Sequence, residues 1–226
     1  MHKRLLITGF DPFGGADINP AWEAVQRLPD AIGEYTLHKL LITTVFGKAP
    51  AAVLEAAREF QPDVILCVGQ AGGRASVTPE RIAVNIRDAR IPDNEGNQPR
   101  GAFVVPDGPA GYFATVPVMA MADAIQANGI PATVSNSAGA FVCTDVLSTL
   151  LHRYAGTHVR VGFLHVPYLP QQGSPSLPLE QITAALEAAI RACCQKNLKK
   201  RKNLLTFPLS VLYYKSCLTA QLNLGV

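Results

Sequence analysis

"DVILCVGQAGGRAS", residues 63–76, decides how the chain folds. Val64–Val68 is a short, unbroken apolar run, and Gly69–Gly73 is a glycine-rich turn. A run this short, with punctuation beside it, reads as a buried strand rather than a helix. The segment before it, "APAAVLEAAREF" (49–60), is built of strong helix formers.

The same alternation extends in both directions. "RLLIT" (4–8), "YTLHKLLITTVF" (35–46) and "HVRVGFLHVP" (158–167) read as strands. "RIAVNI" (81–86) alternates like a half-exposed strand, and "PATVSNS" (131–137) reads as a short strand and its exit. "NPAWEAVQRL" (19–28) is a helix with Asn19 as N-cap and Pro20 at its first position. "VPVMAMADAIQANG" (116–129), "FVCTDVLSTLLHRY" (141–154) and "PLEQITAALEAAIRACC" (178–194) read as further helices. "RIPDNEGNQPRG" (90–101) is turn-rich and reads as a surface excursion. Alternating strands and helices predict a largely parallel, twisted α/β sheet with helices on both faces. Ligands in such folds sit beyond the carboxyl ends of the strands. That places the informative loops at 9–20, 69–80, 135–143 and 166–172.

Composition narrows the function classes. The chain is 48% hydrophobic and 16% charged, which excludes disorder throughout. No apolar run reaches the roughly 18–20 residues of a membrane span. "MHKRLLITGF" lacks the apolar core and cleavage site of a signal peptide, so a cytoplasmic protein with no membrane partner is the expectation. The five cysteines have neither disulfide-framework nor zinc-ligand spacing, which fits reduced thiols and no metal. All 17 acidic residues precede position 195, whereas residues 195–226 hold 6 of the 20 basic ones. The first 194 residues therefore carry 14 − 17 = −3 and the remainder +6, so the basic balance is no argument for nucleic acid. The composition shift sets a domain limit: residues 1–195 form one α/β domain, and 196–226 an atypical basic and apolar extension.

Chemistry then has to be found in the loops. "GFDPFGG" has Gly9 and Gly14 at phosphate-loop spacing, but Gly15 and Ala16 stand where Lys and Ser or Thr are needed. No nucleotide cofactor is expected. Phe10 and Phe13 would make walls for a small flat ligand, or simply pack under the loop. Cys143 falls in the first turn of the helix starting near Phe141. A helix N-terminus favours a thiolate and offers N–H groups to an oxyanion, although free cysteine is also a common core filler. Cys67 is mid-strand, and Cys193 and Cys194 end a helix, so Cys143 is the candidate nucleophile. His165, at a strand end on the ligand side, is the candidate base. His152 lies nine residues along the helix of Cys143, about 13 Å away by helical rise. For the carboxylate that orients the base, Glu80 and Asp93 both remain open on the residues alone.

Taken together, "LITGFDPFGG", "NPAWEAV", "VGQAGGR", "TPERIAVNIRDARIPDNEGNQP", "GPAGYFAT", "GIPATVSNSAGAFVC" and "GFLHVPYLPQQ" resemble the pyroglutamyl peptidase I (pyrrolidone-carboxylate peptidase) family, in family order over about residues 4–172. The resemblance implies a three-layer α/β/α sandwich and a cofactor-free cytosolic cysteine peptidase, commonly a homotetramer. It would act on peptides with N-terminal pyroglutamate. It implies a triad of Cys143, His165 and Glu80, and an oxyanion role for Arg90. It also implies a pocket from Phe10, Phe13, Phe141 and Val142, with backbone groups near Gln70 and support of the loop by Asn19. Ala140 and Thr144 depart from the family's more usual Thr and Asn, and the stretch beyond about residue 195 matches nothing in it. Another cysteine-dependent amidohydrolase and a non-catalytic binding protein on the same scaffold are the rival readings.

Overall fold

The computed structural model describes residues 3–194. In chain order the elements are β1 (Lys3–Phe10), α1 (Pro20–Arg27), β2 (Ala31–Ile32), β3 (Tyr35–Ile42), α2 (Lys48–Phe60), β4 (Val64–Gln70), β5 (Thr78–Pro79), β6 (Ile82–Val84), β7 (Gly111–Phe113), α3 (Val118–Ala127), α4 (Val142–Arg153), β8 (Arg160–Val166) and α5 (Leu179–Cys194). One sheet runs β2-β3-β1-β4-β8-β5, and β6 and β7 form a separate ribbon. The four central strands are parallel, and the short edge strands β2 and β5 are antiparallel.

The two-residue period of a strand sends successive side chains to opposite faces. Leu5, Ile7, Leu66 and Val68 join the apolar layer under α1, α3 and α5, while Leu6, Ile65, Cys67 and Phe163 join the layer under α2 and α4. Residues of β4 are buried on both faces, which is why it reads as a continuous apolar run. The result is an α/β/α sandwich, as expected. Asn19 does cap α1, accepting from the Ala21 N–H at 3.0 Å, with Pro20 behind it. A Cβ at Gly9 would come within 2.7 Å of Trp22 Cα, so the missing side chain lets α1 lie directly on β1.

Some boundaries differ from the sequence reading. The strand at 35–46 stops at Ile42, because the Thr44 N–H turns to the Asp11 carboxylate at 2.7 Å. Residues 131–137 make only isolated bridges, Ala132 to Val77 and Ser135 to Glu80. Pro131 has no N–H to donate, and the Ser135 hydroxyl bends the chain by accepting from the Ser137 N–H. No helix among the described residues is long and apolar enough to cross a membrane.

Candidate active site

β1, β4 and β8 all end at the same edge, and the loops leaving them enclose a cleft of about 1110 Å³. Phe10, Gln70 and His165, from those three strand ends, line it together with Cys143.

Cys143 is the second residue of α4, whose N-cap is Phe141. The approach to it is shaped locally. Ser135 and Ser137 hydroxyls accept from the N–H groups two residues on, Gly139 turns the chain with φ +79°, and the Thr144 hydroxyl donates to the Gly139 carbonyl at 2.6 Å. Phe141 gives no side-chain cap, so the N–H groups of Val142 and Cys143 point out of the helix start without a backbone partner among the described residues. Val142, expected in the pocket, is instead fully buried in the layer under α4 and does not line the cleft, because its side chain faces the core side of the helix.

The sulfur of Cys143 packs over Gly69, 3.0 Å from where a Cβ on that glycine would be. In the parallel register Gly69 lies directly across from His165. Register partners face the same side of a sheet, so the imidazole and the thiol occupy one corner. Cys143 is partly accessible from the cleft, yet burial pushes its thiol up, to about 12. The Glu80 charge adds to that rise and Arg74 opposes it. The helix start was expected to favour a thiolate; here burial and a nearby carboxylate outweigh it.

His165 is nearly fully buried, and its Nδ1 is 2.7 Å from Oε1 of the fully buried Glu80. The pairing of β5 with β8, Thr78 opposite His165, brings the carboxylate there. Burial alone would raise the Glu80 carboxyl, but the hydrogen bond and charge of His165, with Ser135 and Arg74 behind them, hold it below its ordinary value. An ionised Glu80 accepts from Nδ1–H and leaves Nε2 of His165 as an acceptor.

Asp93, the other carboxylate the sequence left open, is occupied elsewhere. Its two oxygens accept from the N–H groups of Phe46, Glu95 and Asn97 and from the Asn97 amide, which tie the 93–97 turn to the 44–47 loop. Of the other histidines, His38 stacks near Phe60 and His152 contacts the Tyr112 hydroxyl; neither lines the cleft.

The cleft's apolar wall is aromatic. Phe13 lies 6.0 Å from Phe141 between ring centroids, and Phe46 meets Phe141 edge-on at 5.3 Å. Phe10 is buried behind them against Phe163. Asn19 donates to the Asp11 carbonyl at 2.9 Å and so pins the loop that carries Phe13. Gln172 donates to Oε1 of Gln70 and to the Ile18 carbonyl, joining three loops at the cleft floor. Arg90 lines the cleft exposed, with no hydrogen bond or ion pair to its guanidinium among the described residues.

Three further groups of the site carry little local sequence signal. Phe46 was read as the end of a strand. Arg74, inside "VGQAGGR", reaches the Glu80 carboxylate. Asp145 is wholly buried two residues after Cys143. One of its oxygens accepts from Arg87 at 2.6 Å and the other from the Gly47 N–H at 2.7 Å. Its only signal was a carboxylate on the apolar side of a helix. Among the described residues no group of His, Cys, Asp or Glu is placed to hold a metal.

Comparison with known proteins gives one consistent answer. A family profile described as pyroglutamyl peptidase matches residues 3–196. The pyrrolidone-carboxylate peptidase of Bacillus amyloliquefaciens is 48% identical over 84% of this chain and 91% of its own length. That of Escherichia fergusonii is 49% identical over 83% and 91%. The crystal structure of Bacillus amyloliquefaciens pyroglutamyl peptidase I superposes with a TM-score of 0.82 at 47% identity, covering 85% of this chain and 98% of the other. Pyrrolidone carboxyl peptidase from Thermococcus litoralis superposes with a TM-score of 0.81 at 36% identity, covering 85% and 93%. The chain belongs to the pyroglutamyl peptidase family of cysteine peptidases.

Proposed function

We propose that the protein hydrolyses the amide bond after an N-terminal pyroglutamyl residue, with Cys143 as nucleophile, His165 as base and Glu80 as the group that orients it. The observation that carries this reading is the shared corner at Gly69, where the thiol at the start of α4 packs and the Glu80-bound imidazole faces the same side of the sheet.

The steps follow from the side chains. With its thiol raised, Cys143 is protonated at rest, so it must lose its proton as it attacks. Nε2 of His165 takes that proton while sulfur bonds to the pyroglutamyl carbonyl carbon. Charge on the carbonyl oxygen meets the outward N–H groups of Val142 and Cys143, with Arg90 beside the cleft as a further cation. Collapse of the adduct breaks the C–N bond, and His165 delivers its proton to the departing amine. Water then attacks the thioester, His165 taking one proton and returning it to sulfur as free pyroglutamate leaves.

Specificity follows from polarity. Pyroglutamate is a flat, neutral lactam that suits the wall of Phe13 and Phe141, with backbone groups near Gln70 pairing its lactam N–H and C=O. An N-terminal proline has the ring but lacks the carbonyl, and it carries a charged amine that an apolar wall cannot solvate. The test is turnover of pyroglutamyl and prolyl amide reporters by the wild type and Cys143→Ala. The reading expects turnover of the pyroglutamyl reporter alone and none by the variant. Equal turnover of both reporters would remove the substrate assignment, and an active variant would remove the mechanism.

A further inference from the structure

Resting on the activity proposed above, we propose that Arg74 is a positioning residue for the reaction: its guanidinium holds Glu80 against His165 and anchors the loop that delivers Cys143. Nη1 of Arg74 donates to Oε1 of Glu80 at 2.6 Å, and His165 Nδ1 sits 2.7 Å from that same oxygen. Nη1 also donates to the Thr78 hydroxyl, on β5 two residues before Glu80, while Nη2 donates to the Ser137 carbonyl at 3.3 Å. One rigid fork therefore touches the carboxylate, the short strand just before it and the loop leading into Cys143.

The chain is folded to put it there. The Arg74 N–H closes a tight turn on the Ala71 carbonyl, and Gly73 adopts φ +85°. A Cβ at Gly72 would collide with the Tyr168 ring at 2.1 Å, so that ring lies flush on the turn.

Two features set this contact apart from a surface ion pair of little consequence. Glu80 is wholly buried, and its Oε2 has no hydrogen-bond partner among the described residues. All of its charged support therefore converges on Oε1, and without Arg74 the carboxylate would keep only His165 and the neutral Ser135 hydroxyl. Arg74 is also the cation that offsets the Glu80 charge at the Cys143 sulfur. The charged and titratable groups acting on Glu80 and on the Cys143 sulfur are Glu80, His165, Cys143, Cys67 and Arg74, with Asp88 and Arg90 elsewhere on the cleft lining, so removing Arg74 takes away the arginine that offsets the carboxylate at the sulfur.

The experiment compares wild type, Arg74→Gln and Arg74→Lys in kcat and KM on a pyroglutamyl reporter, in Tm, and in the rate at which iodoacetamide alkylates Cys143 at pH 8. Arg74→Gln is expected to lower kcat roughly tenfold or more, the scale of a lost charge-assisted hydrogen bond, with KM little changed. Its alkylation rate should fall roughly three- to tenfold, the thiolate lost when a pKa rises by half to one unit. Arg74→Lys keeps the charge without the fork and should fall between the two. If Arg74→Gln does not fold, Arg74→Lys decides: slowed kcat in a folded protein supports the assignment, and wild-type kcat and alkylation overturn it. A lower Tm with unchanged kcat and alkylation would leave Arg74 a scaffold contact and overturn the proposal. A raised KM with unchanged kcat would make it a substrate contact and overturn it equally. Alkylation needs no substrate, so it reports on Arg74 even if the pyroglutamyl reporter proved inert.

Discussion

A Cβ on Gly69 would stand 3.0 Å from the sulfur of Cys143 and 2.8 Å from Cζ of the fully buried Phe163. Phe163 cannot give way cheaply, since it is fully buried in the layer under α4. Gly69→Ala should therefore destabilise by about 1–3 kcal/mol, the usual cost of overpacking, and should lower kcat further than stability alone explains, because the thiol is displaced. Thermal unfolding and reporter kinetics check both. A folded Gly69→Ala with wild-type kcat would mean that the sulfur does not need this position.

Acid should act through Glu80. Its folded-state pKa is depressed, so it contributes stability that is fully present above its unfolded value, about 4.3, and is lost as pH falls through the folded value. The Tm gap between wild type and Glu80→Gln should be widest above about pH 5 and should narrow as pH falls below about 4.3. Asp93 is depressed too, for its own loop hydrogen bonds, and contributes to wild-type acid loss in the same direction. Only the difference from Glu80→Gln isolates Glu80. A gap independent of pH would remove the ionised carboxylate from the account.

Asp145 clamps two segments to the start of α4, Arg87 on one oxygen and the Gly47 N–H on the other. The Phe46 N–H is held in turn by Asp93, so two consecutive N–H groups fix the ring that abuts Phe141. Asp145→Ala strands Arg87, and the loss should fall at the low end of the roughly 3–5 kcal/mol seen for broken buried pairs, since Arg87 is partly solvated. KM should rise with it as the aromatic wall loosens. Denaturant melts and steady-state kinetics test this; a stability loss with unchanged KM would uncouple Phe46 from substrate.

Residues 196–226 lie outside the described residues, and the domain limit at 195 rests on composition. We propose that they are dispensable for chemistry, because every side chain in the scheme precedes them. A chain ending at Gln195 should keep its kcat/KM on the reporter. Loss of activity together with a fall in oligomer mass would place them in the working enzyme.

Cys143 and His165 were legible because each sits at a boundary that local sequence marks, a helix start and a strand end. The buried strands were legible for the same reason. Glu80 and Asp93 could not be told apart by residues alone. What separates them is the pairing of Thr78 with His165, a contact 87 positions apart made by a two-residue strand with no periodic signal. Arg74, Phe46 and Asp145 matter only through partners brought in by tertiary folding, so no local pattern singles them out. The thiol's raised pKa was missed because the helix start is visible in sequence, whereas the burial that opposes it is not.

In the proposed reaction Cys143 forms a covalent bond to the pyroglutamyl group. Acid quenching of the enzyme with a slowly deacylating pyroglutamyl ester, followed by proteolysis and mass spectrometry, reads this directly. The expected result is the mass of one pyroglutamyl group on the peptide containing Cys143, lost on treatment with hydroxylamine and absent in Cys143→Ala. An adduct on another residue, or turnover by Cys143→Ala with no adduct at all, would contradict it.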